Sequence, residues 1–223
     1  MSDPNNSPAA QKAQDLAHAA RSGGMQVLTI LSQAILPLTH VVVARLFGTV
    51  VFGAYQNSLA VIEMATRGGT GGADKAMLRY VAGFRGRGDE AGVESAIGTG
   101  LRQCFGIAGP LVLFLMLGAP LLARLLHEPE LAISLPAMAP AVLLTGLMVS
   151  LVQASLAARV TRANFIVRGL GEPSFLFLAG VLAALLGRTL GHLAIAHSLA
   201  ALATCALAVV MVGRVFGQGQ LRR

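Results

Sequence analysis

The sequence predicts an all-α membrane protein, a bundle of six transmembrane helices, and three observations carry that expectation. The first is composition: 55% of the 223 residues are hydrophobic and only 12% are charged, with a mean hydropathy of +0.69. Soluble domains carry about 25% charged residues, and a chain this poor in polar side chains lacks the means to cover a water-facing surface. The second is the form of the apolar stretches, which are long and continuous. Membrane β-barrel strands instead alternate in segments of about ten residues. The third is the placement of the basic residues, which sit between the apolar stretches rather than within them.

Taken in order, residues 1–21 read as a cytoplasmic tail followed by an Ala-rich surface helix. Pro4, Asn5, Asn6, Ser7 and Pro8 oppose helix, and there is too little apolar surface to order the segment. The six-span lobe is expected over residues 22–213. The first span, 24–44, is long enough at about 1.5 Å per residue to cross a hydrocarbon core of about 30 Å, and Pro37 should kink it. The second, 50–69, carries Gln56, Asn57 and Glu63. A basic connection over 70–98 then holds an amphipathic helix near 75–84 and a turn at Arg85–Glu90, RGRGDE. The third span, 103–122, is bracketed by Pro110 and Pro120 and followed by an acidic HEPE turn; the fourth is 133–156. A second basic connection, 157–171, separates it from the fifth and sixth, 173–186 and 192–212, which flank a tight GRTLGH turn. Residues 214–223 form a basic tail.

Arg45, Arg124 and Arg188 are the only three of the 17 lysines and arginines on the side of the short turns; the remainder lie in the tails and the two long connections. The positive-inside bias therefore places both termini in the cytoplasm of a multi-pass protein of the cell inner membrane. The same bias accounts for the net charge of +7 without nucleic acid, since no basic helix carries the interleaved aromatics that stack on bases. Cys104 and Cys205 fall within spans and show no metal-ligand spacing. The first 24 residues contain no short apolar core followed by a cleavage site, so no cleavable signal peptide is expected.

One stretch departs from plain hydrophobic helix: ARLFGTVVFGAYQNSLAVIEMATRGGTGGADKAMLRYVA, residues 44–81. Through Ala44, Arg45, Leu46, Gly48, Phe52, Gly53, Tyr55, Ala76, Leu78, Arg79 and Val81 it resembles the opening of the polysaccharide biosynthesis family of lipid-linked oligosaccharide flippases. That family is part of the multidrug/oligosaccharidyl-lipid/polysaccharide exporter superfamily. The resemblance continues more weakly through residues 155–177, SLAARVTRANFIVRGLGEPSFLF, and fades by Gly213. It implies that the six spans form one lobe of a two-lobe flippase. Members of the family have twelve to fourteen spans around a central cavity, so the second lobe would come from another copy or another chain.

Several residues bear on chemistry. Glu63 is the only carboxylate expected inside an apolar span, and ionisable groups there are expensive and mark functional sites. It is a candidate ion-coupling residue, or else it sits near the interface paired with Arg67 at i+4. His40 is a second coupling candidate, because imidazole titrates near neutral pH; His192 and His197 are set aside. Gln33, Gln56, Asn57 and Gln153 either line a cavity that meets sugar hydroxyls or bond between helices. The candidate substrate-binding set is Arg45, Arg79, Arg67, Gln33, Asn57 and Gln153, because guanidinium groups match the oxygens of a lipid pyrophosphate. Snorkelling offers a plainer account of Arg67, Arg79 and Arg102. Arg45 and Arg79 are also the arginines in the family pattern, which implies a structural or cavity role for them.

The glycines at 68, 69, 71 and 72 do not form a phosphate loop, since no GK[ST] follows. A hinge or close helix approach through Gly68 and Gly72 fits better. No catalytic set, metal-ligand cluster or cofactor motif is present in the sequence, and no enzyme is expected. The resemblance implies transport of a lipid-linked oligosaccharide for cell-surface polysaccharide or lipopolysaccharide biosynthesis, with the bilayer and the lipid-linked glycan as partners. The alternatives are a cation-coupled multidrug exporter of the same superfamily, and a non-transporting, truncated membrane partner of a glycan-assembly complex.

Overall fold

A computed structural model describes residues 35–217 together with Gly24, Val27 and Ser32. The expected surface helix, the candidate Gln33 and the end of the basic tail lie outside the described residues. Among these the chain is helical and shows no strand. The helices are α1 (Ile35–Phe47), α2 (Thr49–Gly69), α3 (Ala73–Gly86), α4 (Glu90–Leu125), α5 (Leu131–Ala157), α6 (Thr161–Leu186) and α7 (Leu190–Gly217). Within α6, residues Phe165–Gly171 are π-helical.

Four of these helices are long and apolar enough to cross a membrane: α4, α5, α6 and α7, the last over Leu190–Phe216. The other two expected spans differ in kind. The part of the first that is described, α1, is a shorter apolar helix of 13 residues. The second, α2, has 21 residues and the length to cross, but Gln56, Asn57, Glu63 and Arg67 dilute its hydrophobicity. Two expected boundaries are corrected. The third helix begins at Glu90, with Pro110 and Pro120 inside it rather than at its ends. Residues 161–171, expected as part of a loop, belong to α6. Pro173 cannot donate to the carbonyl one α-turn earlier, and the chain ahead of it is widened into the π-helix, so the helix continues through the proline.

Helix α5 is the centre of the bundle, packing against α2, α3, α4, α6 and α7. Its sequence is apolar on every face, as a helix surrounded by other helices requires. Small residues such as Ala139, Ala141, Gly146 and Ala154 are fully covered and let its neighbours approach closely. Polar pins fix the register. The hydroxyls of Ser58 and Ser134 lie 2.6 Å apart across α2 and α5, and Ser198 of α7 donates to the carbonyl of Ala137 at 2.6 Å.

Helices α2 and α3 lie along α5 as one interrupted rod. Helix α2 runs parallel to α5 from Ser58, opposite Ser134, to Thr70, whose Cγ2 would stand 3.7 Å from a β-carbon on Gly146. Beyond the break α3 continues in the same direction, burying Met77 and Val81 with Ala154 and Ala157 of α5. Helix α4 runs antiparallel along both. Its Gly100 faces Met77, its Ile107 faces Gly71, and its Ala108 faces Gly69. The break at 70–72 is therefore level with the start of the apolar part of α4. Gly71 and Gly72 form it with φ of +53° and +77°, a backbone region that costs other residues about 1–2 kcal/mol. The expected close approach is present, but at Gly69: a β-carbon there would stand 3.3 Å from Ala108 Cβ, whereas one on Gly68 or Gly72 would meet nothing.

Candidate functional site

The interrupted rod, α1, α5, α6 and α7 enclose a cavity of about 540 Å³. The wall from α2 is one helical face, Leu59, Ile62, Glu63, Thr66, Arg67 and Thr70, and Asp74 continues it across the break. Helix α1 contributes Leu36 and His40, and α5 contributes Thr145, Met148 and Val149. From α6 come Arg168, Glu172 and Leu176, and from α7 His197, Ala200, Ala201 and Thr204.

Counting rise along the helices sets the depth of these groups. Glu63 lies roughly 21 Å from the start of α2, and Glu172 lies roughly the same distance from the end of α6 at Leu186. With a core of about 30 Å, both carboxylates fall several ångströms inside the membrane from the opposite, basic end of the bundle. Asp74 and Arg168 line the cavity toward that basic end. His197 lies at its inner end, where its Nδ1 is 2.9 Å from the Tyr55 hydroxyl. Tyr55 is only 1% exposed and packs between the rings of Phe52 and His197, while Phe52 in turn meets His40.

Glu63 and Arg67 form an ion pair at 3.8 Å, with side chains 59% and 84% exposed. Both expectations for Glu63 are thus visible together: it is paired at i+4 and it faces the cavity. A charged pair this open at membrane depth needs water or another protein beside it, because hydrocarbon would not solvate it.

Of the sequence candidates, the structure brings Glu63, Arg67 and His40 together in the cavity wall. Arg45, Arg79, Asn57 and Gln153 are not in that wall; the first three are exposed and Gln153 is half-buried on α5. Sequence reasoning set His197 aside and did not single out Asp74, Arg168 or Glu172 as site residues. The signal for two of them was present: Arg168 and Glu172 are four residues apart in a stretch whose hydrophobicity supports a span from 161 to 186. Assigning 157–171 to a loop hid it, and with it the second carboxylate at membrane depth. Among the described residues, no group of three or more His, Cys, Asp or Glu is arranged to hold a metal ion.

A multi-pass bundle of apolar helices, with an interrupted helix and a charged cavity at membrane depth, defines the class as a polytopic membrane protein with an internal polar site. Over residues 20–222 the chain matches the family model described as polysaccharide biosynthesis protein. It belongs to that family, which assigns it to polysaccharide biosynthesis at a membrane. Neither a curated protein nor a solved structure matches it.

Proposed function

We propose that this chain forms one lobe of a transporter that flips a lipid-linked oligosaccharide across the cell inner membrane for polysaccharide or lipopolysaccharide synthesis. The observation that carries this reading is the cavity itself. Two guanidinium groups from different helices, Arg67 and Arg168, stand in its wall. Guanidinium groups are suited to the oxygens of a lipid pyrophosphate. The hydroxyls of Thr66, Thr70, Thr145 and Thr204 suit the adjoining sugars. The positive-inside bias turns the basic end of the bundle toward the cytoplasm, where lipid-linked glycans are assembled, with both termini on that side. The exposed Glu63–Arg67 pair calls for a second lobe, and rocking of two lobes about a shared midplane site is how such cavities change sides.

The test is surface glycan in cells carrying single variants at normal protein level. Arg67→Ala and Arg168→Ala are expected to lower export at least tenfold and to leave lipid-linked precursor on the inner leaflet. Arg45→Ala and Arg79→Ala, outside the cavity wall, are the comparison pair and keep export. Export surviving loss of both cavity arginines contradicts the reading.

The carboxylates Glu63, Asp74 and Glu172 in the same wall favour a second reading, a cation-coupled exporter of drug-like cations. In that case Glu63→Gln abolishes drug resistance and the arginine variants leave it intact.

A further inference from the structure

We propose that the cavity takes up a proton together with its anionic ligand, and that Glu172 is the group that receives it. The inference rests on reading the cavity as a site for an anionic headgroup. It concerns how the charge of that headgroup is balanced.

The charged and titratable groups facing the cavity can be named helix by helix. His40 comes from α1, Glu63 and Arg67 from α2, Asp74 from α3, Arg168 and Glu172 from α6, and His197 from α7; α5 offers only Thr145, Met148 and Val149. Three carboxylates thus face two guanidinium groups, so with neutral histidines and ionised carboxylates the empty wall is already net negative. A pyrophosphate added to that wall brings further negative charge against the carboxylates already there. Entry therefore requires a compensating positive charge, and a proton on one carboxylate supplies it.

The three carboxylates are not equivalent. Glu63 keeps Arg67 at 3.8 Å and is more than half exposed to solvent. Asp74 occupies the first turn of α3, at the N-terminus of its helix. Glu172 has neither support. It lies in the interior of a continuous membrane helix, is half-buried, and has Arg168 as its basic neighbour with the Glu63 carboxylate also acting on it. When a phosphate oxygen engages Arg168, Glu172 loses its counter-charge while half-buried within the membrane helix. A carboxylate in that position is neutralised rather than left bare. The step is a protonation alone: a Glu172 carboxylate oxygen takes a proton from cavity water as the headgroup binds and returns it when the headgroup leaves.

The test uses the full chain in nanodiscs, with farnesyl pyrophosphate as the probe. Its affinity is measured between pH 6 and 9, and proton exchange on binding is followed with an indicator in weak buffer. Comparison with Glu172→Gln cancels the titration of the probe itself. The expected result is about one more proton taken up by the wild type than by Glu172→Gln, and an affinity that falls up to tenfold per pH unit more steeply, the limit for one linked proton. Glu172→Asp keeps the uptake, which separates loss of the titrating group from damage to the fold. Equal proton exchange in wild type and Glu172→Gln, or an affinity that follows sodium instead of pH, overturns the proposal while leaving the headgroup site standing. A folded wild type that fails to bind the probe at any pH overturns both.

Discussion

Tyr55 shows how a side chain with no obvious chemistry can set a site. Its ring is buried in the core cluster beside α5, and its hydroxyl reaches His197 at 2.9 Å, fixing the imidazole at the inner end of the cavity. Tyr55→Phe removes that bond without leaving a large void. The expected cost is about 0.5–1 kcal/mol, seen as a fall of a few degrees in the detergent-solubilised melting temperature. An unchanged melting temperature would mean the bond contributes nothing net. Neither partner was legible as a pair in the sequence, because 142 residues separate them. Glu63 was legible, since a carboxylate interrupting an apolar run announces itself. Glu172 was not, because Arg162 and Arg168 nearby made its surroundings resemble a loop.

At the level of elements, the break between α2 and α3 decides where the cavity wall bends. Its glycines make separable predictions. A side chain on Gly69 meets the Cβ and Cα of Ala108 at 3.3 and 3.5 Å, atoms that cannot move aside without shifting α4. Gly69→Val is therefore expected to destabilise the bundle by about 1–3 kcal/mol, the usual cost of overpacking. Gly71→Ala combines a left-handed backbone with a clash against the Ile107 side chain and should cost more than Gly72→Ala, which bears the backbone strain alone. Gly68→Ala, helical and facing open space, should be neutral or stabilising by up to about 1 kcal/mol. Thermal unfolding of the four variants in one detergent checks the order, and a destabilising Gly68→Ala would mean its face is covered. The glycine cluster was legible as a turn between helices. Which glycine makes the contact was not, since that depends on the register of α4 against α2.

For the whole molecule, the helical membrane class followed from composition, and the central place of α5 follows from a sequence apolar on all sides. The boundaries of α4 and α6 were hidden because both run past their apolar stretches into charged sequence, at the end that the charge bias turns toward the cytoplasm. In α6 that extension carries Arg168 into the cavity wall. The orientation is itself testable. In a chain with Cys104 and Cys205 replaced by alanine, Arg87→Cys should react with a membrane-impermeant maleimide only after the cells are opened, and Arg188→Cys in intact spheroplasts. The reverse pattern would invert the bundle.

The central claim is that the glycan headgroup occupies the cavity among α2, α5, α6 and α7. Photo-crosslinking in native membranes reaches it most directly, with p-benzoylphenylalanine placed in turn at Thr145, Thr204 and Leu117. The first two line the cavity and the third is a surface position of α4, 81% exposed. The account predicts light-dependent adducts that carry glycan at Thr145 and Thr204 and none at Leu117. Glycan adducts absent from both cavity positions, in cells that still export glycan, would contradict it.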